Sequence, residues 1–101
     1  MGNRLDLHSL LETVLGTDEV YFQPPESIRL VYPCIIYKRS SIRTDFANNL
    51  PYSLRSEYTI TLIEPDPDSP KPYLVANLET ARHERFYTAD NLNHNVFTLF
   101  F

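Results

Sequence analysis

Three groups of side chains in this chain have the types that do chemistry: one thiol, three imidazoles and a short run of carboxylates. Cys34 is the only cysteine, so no internal disulfide can form, which fits a reducing cytoplasm. It follows Pro33 and precedes Ile35 and Ile36, a setting that predicts a buried, inert thiol rather than a nucleophile. His8, His83 and His94 stand too far apart to make a pair at metal-ligand spacing. One cysteine cannot complete a structural zinc site either. Glu64, Asp66 and Asp68 alternate with Pro65 and Pro67. Alternating carboxylates can hold calcium, but the glycine that lets a calcium loop turn is missing and the prolines stiffen the segment, which predicts a solvated turn. The only glycines are Gly2 and Gly16, which excludes glycine-rich phosphate loops and the nucleophile elbow. The expectation is a protein that is not an enzyme and has no metal or cofactor.

The elements that carry these residues follow from periodicity. Leu7, Leu10, Leu11, Val14 and Leu15 recur at helical spacing, predicting an amphipathic helix over about 4–15 with Asn3 as its cap and Gly16 just past its end. A short strand over about 18–22 is broken by Pro24 and Pro25. Pro33 delays the next strand to about 34–40. Residues 57–64 alternate cleanly, Tyr58, Ile60 and Leu62 against Thr59, Thr61 and Ile63, and predict a strand. Ser69 and Pro70 open a second helix over about 70–79, with Leu74, Val75 and Leu78 on its apolar side. Strands over about 84–89 and 94–101, joined by the turn-forming "DNLN", read as a hairpin. The order is α-β-β-β-α-β-β in one domain spanning 1–101. It predicts an α+β fold: a mainly antiparallel sheet of four or five strands with both helices packed on it.

Length and composition fit that picture. A chain of 101 residues with 43% hydrophobic and 22% charged residues has ordinary globular usage, and no apolar run reaches the length of a membrane span. The net charge is −4, which argues against a protein held mainly on phosphates. The charge is uneven. Lys38, Arg39, Arg43 and Arg55 against Asp45 alone make 38–55 net +3, leaving −7 elsewhere. Inside this basic stretch, the link between two strands is too long for an ordinary hairpin loop. Ile42, Phe46, Leu50 and Tyr52 punctuate it without helical periodicity, so about Ser41–Ser53 reads as a binding arm. Ile42, Arg43, Phe46, Leu50 and Tyr52 are its expected contact residues. Tyrosines make seven of the residues and phenylalanines six, a supply suited to protein interfaces.

The stretch "VYFQPPESIRLVYPCIIYKRSSIRTDFANNLPYSLRSEYTITLI" and the ending "RFYTADNLNHNVFTLFF" resemble small neck and tail proteins of long-tailed bacteriophages, the tail completion or tail terminator family. "YPCIIY" and "FYTADNLNH" are the most specific pieces. The resemblance spans about Val20 to Phe101 and brings no catalytic residues. It implies an α+β subunit that forms a hexameric ring with copies of itself and stops growth of the tail tube. The implied partners are the tail tube protein and the head's connector or stopper. DNA would only pass through the lumen, where carboxylates repel phosphates. The implied location is the virion neck, after assembly in the host cytoplasm, with no membrane.

The same reading gives the chain's last strand a role. Val96, Thr98 and Phe100 alternate with Phe97, Leu99 and Phe101, so both faces are largely apolar. That suits a strand inside the sheet or one with a face in a subunit contact, which adds Phe101 to the expected interface. Another neck or head-completion ring component, or a monomeric ligand- or nucleic-acid-binding module, is the alternative.

Overall fold

A computed structural model describes the backbone of residues 4–47 and 50–101 and the side chains of 4–42 and 56–101. The elements run α1 (Arg4–Leu15), β1 (Val20–Phe22), β2 (Cys34–Ala47), β3 (Leu50–Glu64), α2 (Lys71–Ala76), β4 (Arg82–Ala89) and β5 (Leu92–Phe100). This is the expected α+β order. The five strands form one mixed sheet in the order β1-β2-β3-β5-β4. Only β1 and β2 are parallel, and the other pairs are antiparallel.

The core lies between one face of the sheet and the helices. Leu7, Leu11 and Leu15 are fully buried, one residue every turn of α1. They meet Ile35 and Tyr37 from β2, Tyr58, Ile60 and Leu62 from β3, and Phe97 and Leu99 from β5. Val75 from α2 completes the layer. Leu10 lies on the rim of the stripe and is exposed. Gly16 ends α1 with φ +86° and donates its N–H to the Glu12 carbonyl at 2.9 Å, the left-handed stop that glycine takes without strain.

Parallel neighbours cannot be joined by a tight turn, so residues 23–33 cross from the end of β1 to the start of β2. Pro24, Pro25, Ile28 and Leu30 from this crossover line a groove beside Ile36 and Lys38. Since Ile36 alternates with the buried Ile35 and Tyr37, the crossover lies against the face opposite α1. The Tyr32–Pro33 peptide bond is cis. Between β4 and β5, Asp90 and Asn91 have φ +53° and +60°, the mirror-image two-residue turn that matches strand twist.

Several expected boundaries move. β2 and β3 extend far beyond 34–40 and 57–64, turning most of the expected loop into paired strands. β5 begins at Leu92, because the tight turn lets pairing start at Ala89 and Leu92, and β4 begins at Arg82, where pairing with Thr98 continues past the register shift. The second helix is six residues rather than ten, with Pro70 at its N-cap. Ser69 lies one position earlier and still accepts a hydrogen bond from the Lys71 N–H at 3.2 Å. Leu74 stays exposed on this short helix. Asn3 lies outside the described residues.

Candidate functional site

The segment singled out as an arm is a two-stranded ribbon. Cys34 opposes Ile63 at one end of the β2–β3 pair and Ala47 opposes Leu50 at the other. β1 flanks β2 only at Ile35–Tyr37. β5 flanks β3 only as far as Glu57, opposite Phe100, with one more hydrogen bond from the Phe101 N–H to the Ser56 carbonyl at 3.0 Å. Past Ile42 and Ser56, which oppose one another, the two strands pair only with each other. The chain measures 51 × 27 × 23 Å with a radius of gyration of 14.6 Å, larger than the roughly 13 Å of a compact chain this long.

A β-bulge marks the base of the ribbon. The register shifts between Arg39 and Ser41, leaving Ser40 as the extra residue. Its single hydroxyl proton is shared between the Glu57 carboxylate at 2.8 Å and the Glu57 carbonyl at 3.1 Å. An extra residue bends and twists its strand, so the bulge aims the ribbon away from the sheet. A second shift falls between Asp45 and Phe46.

The expected contact residues fare differently. Arg43, Phe46 and Leu50 occupy paired ribbon positions and Tyr52 is the extra residue at the second shift; the side chains of all four lie outside the described residues. Ile42, at the base, is 60% exposed. Phe101 also reaches the base but is partly buried against the protein's own core. The last strand lies inside the sheet between β3 and β4.

Beneath the ribbon, a polar cluster is seated on the core. The Tyr37 side chain is fully buried, yet its hydroxyl is 2.8 Å from His8 Nδ1 and accepts from Arg4 at 3.2 Å. Burial pushes this phenol above its ordinary pKa. Arg39 donates to the Tyr58 hydroxyl at 3.0 Å, and the Tyr37 and Tyr58 rings are 6.0 Å apart. His8 therefore serves as a hydrogen-bond partner within the fold. No sequence signal pointed to this cluster, because its members come from α1, β2 and β3.

The other candidates for chemistry are dispersed. Cys34 is fully buried at the start of β2, where burial pushes its thiol up to about 11. That leaves it protonated at neutral pH and without nucleophilic character. His83 is 3.1 Å from the Asn95 amide oxygen, and both line a cleft of about 400 Å³ between α2 and the β4–β5 hairpin, together with Tyr73 and Phe86. His94 stacks on Tyr87 at 4.6 Å.

The acidic run divides. Asp66 closes a local turn by accepting the Asp68 N–H at 2.9 Å, as a solvated turn requires. Glu64 is buried instead, a correction to the solvated reading that follows from its place at the end of β3. Burial raises its pKa, opposed by a hydrogen bond to Ser69 and by Lys71. Among the described residues, no group of three or more His, Cys, Asp and Glu side chains is arranged to hold a metal ion, and no helix is long and apolar enough to cross a membrane.

No protein-family model matches the chain, and no match is found among curated proteins.

Proposed function

We propose that this chain is a structural virion protein of the neck of a long-tailed phage, forming a hexameric ring that terminates the tail tube and joins tail to head. The observation that carries the reading is the ribbon. Two strands pairing only with each other are marginal in water, and a ribbon of net +1, Arg43 and Arg55 against Asp45, on a body of net −5 suits docking onto the next copy of the same chain. The resemblance of "YPCIIY" and "FYTADNLNH" to the tail terminator family supplies the setting. In this reading the protein carries out no reaction. It contributes shape, a ring surface and a lumen through which DNA passes.

The test exploits the register. Arg43 and Arg55 oppose one another, and the neighbouring Ser56 carbonyl faces β5, where it accepts from the Phe101 N–H. Arg43 and Arg55 are therefore a hydrogen-bonded pair, and residues 44–54 can be replaced by an Asn-Gly turn that closes the hairpin near its base. The shortened protein should fold. A phage carrying it should accumulate heads and tails unjoined, if the ribbon contacts the head side, or tails of irregular length, if it contacts the tube. Electron microscopy of the lysate separates these outcomes. Normal infectious particles would overturn the proposal.

A further inference from the structure

The far edge of the sheet offers a second joint, unrelated to the ribbon. β4 is an edge strand, and all eight of its residues are exposed. Its first half is guarded in the usual ways: Arg82, His83, Glu84 and Arg85 carry polar or charged side chains, and the register shifts between His83 and Arg85. Its second half, Phe86, Tyr87, Thr88 and Ala89, has no charge, proline or glycine, and Phe86 and Tyr87 are 54% and 39% exposed. We propose that this half-strand pairs antiparallel with the same half-strand of a second copy, joining two sheets across a two-fold axis with Phe86 opposite Phe86.

The register follows from backbone geometry and charge. The two-residue turn at Asp90 and Asn91 makes Ala89 and Leu92 a hydrogen-bonded pair, so Tyr87 and Arg85 also direct their backbone groups toward β5. Phe86 and Thr88 then direct theirs outward. Across a new antiparallel joint, outward residues must meet outward residues. Three registers satisfy this within the unguarded half. With Phe86 opposite Thr88, Glu84 falls opposite Asp90 of the second copy, and two like charges meet. With Thr88 opposite Thr88, Phe86 falls opposite Asp90 in the turn. With Phe86 opposite Phe86, aromatic rings meet on one face. On the other face, Arg85 falls opposite Tyr87 of the second copy, twice by symmetry. A guanidinium over a tyrosine ring is favourable, and Arg85 already lies 5.2 Å from the centre of its own Tyr87 ring. This self-complementarity identifies the occupant of the edge as a second copy.

The joint does not rest on the phage reading. Phe86–Ala89 pairs with Leu92–Asn95, which lies beside Leu62–Glu64, whereas the ribbon leaves the sheet beyond Ser56. The full chain should therefore show a concentration-dependent dimer in sedimentation velocity. Replacing residues 44–54 by an Asn-Gly turn should leave that dimer intact. Thr88→Pro removes an outward N–H without touching the β5 ladder, and Phe86→Lys puts like charges at the axis. Each should weaken dimerisation at least roughly tenfold, about 1.4 kcal/mol. Phe86→Cys should yield an oxidised, cross-linked dimer, and Thr88→Cys much less, which reads the register directly even if Thr88→Pro does not fold. A monomeric wild-type chain at millimolar concentration overturns the proposal, as does a dimer indifferent to Phe86→Lys or cross-linking better through position 88. An oligomer lost only on ribbon replacement would also overturn it while leaving the ring reading intact.

Discussion

Strands β2 and β3 pass through two environments, and the same ladder has a different worth in each. In the body of the sheet their side chains are buried: Ile35, Tyr37, Ile60 and Leu62 are inaccessible to water, and β1 and β5 extend the sheet on either side. Beyond Ile42 and Ser56 the hydrogen-bonded register continues to Ala47 and Leu50 with no third strand. Backbone hydrogen bonds add little net stability, since water competes for the same groups. Apolar burial supplies the stability, so the body should resist damage only through its core, and the ribbon should be dispensable for folding.

The contrast can be broken most severely in the body. Phe97→Ala removes a fully buried ring from the interior strand β5 and should cost about 3–5 kcal/mol, a large part of the roughly 5–15 kcal/mol available to a domain. Urea denaturation would register this as a lower midpoint with an unchanged slope. Truncation of residues 97–101 should abolish cooperative unfolding altogether.

A milder change probes the polar seat of the core. Tyr37→Phe keeps the ring but removes the hydroxyl held by His8 and Arg4. The expected loss is about 1 kcal/mol, read in the same experiment. His8→Ala in the Tyr37→Phe background should then cost less than His8→Ala alone, the mark of a shared interaction.

Replacing residues 44–54 by an Asn-Gly turn should change stability by less than about 1 kcal/mol, because an isolated ribbon contributes little by itself. A loss as large as that of Phe97→Ala would put the ribbon inside the cooperative core and erase the contrast.

The smallest effect is one of pH. Burial holds the Glu64 carboxyl above its usual value of 4.5. The folded state therefore binds more protons than the unfolded state between 4.5 and the raised value. Stability from this group rises as the pH falls through that window and levels off below it. Glu64→Gln should remove this component from the pH dependence of the urea midpoint, and the ribbon-shortened protein should retain it.

Much of the fold is legible in local pattern. The i, i+4, i+8 leucines of α1, the alternation of residues 57–64 and the Asp90–Asn91 turn each name their element, because helix period, strand period and left-handed turn chemistry are local properties. The ribbon was not legible as strand. Residues 41–56 lack the alternation that marks 57–64, and beyond Ile42 and Ser56 the backbone ladder has only two strands. Their length and aromatic content still marked them as a candidate interaction element. Glu64 was misread for the converse reason: its neighbours Pro65, Asp66, Pro67 and Asp68 look like a solvated turn, and its burial goes with contacts made in the fold, Ser69 bonding its carboxyl and Asn93 donating to its carbonyl.

By itself the sequence determined the α-β-β-β-α-β-β order, the apolar faces of α1, β3 and β5, and the scarcity of glycine that rules out phosphate loops. These follow from residue type and period, which need no neighbour. Tertiary structure decided which strand lies beside which: the parallel placement of β1 next to β2, β5 between β3 and β4, and a free edge along β4. It also decided where β2 and β3 leave the sheet, at the Ser40 bulge, and how Arg4, His8 and Tyr37 meet. Such choices depend on contacts between residues far apart in the chain, where chain connectivity and burial compete and local preference is silent.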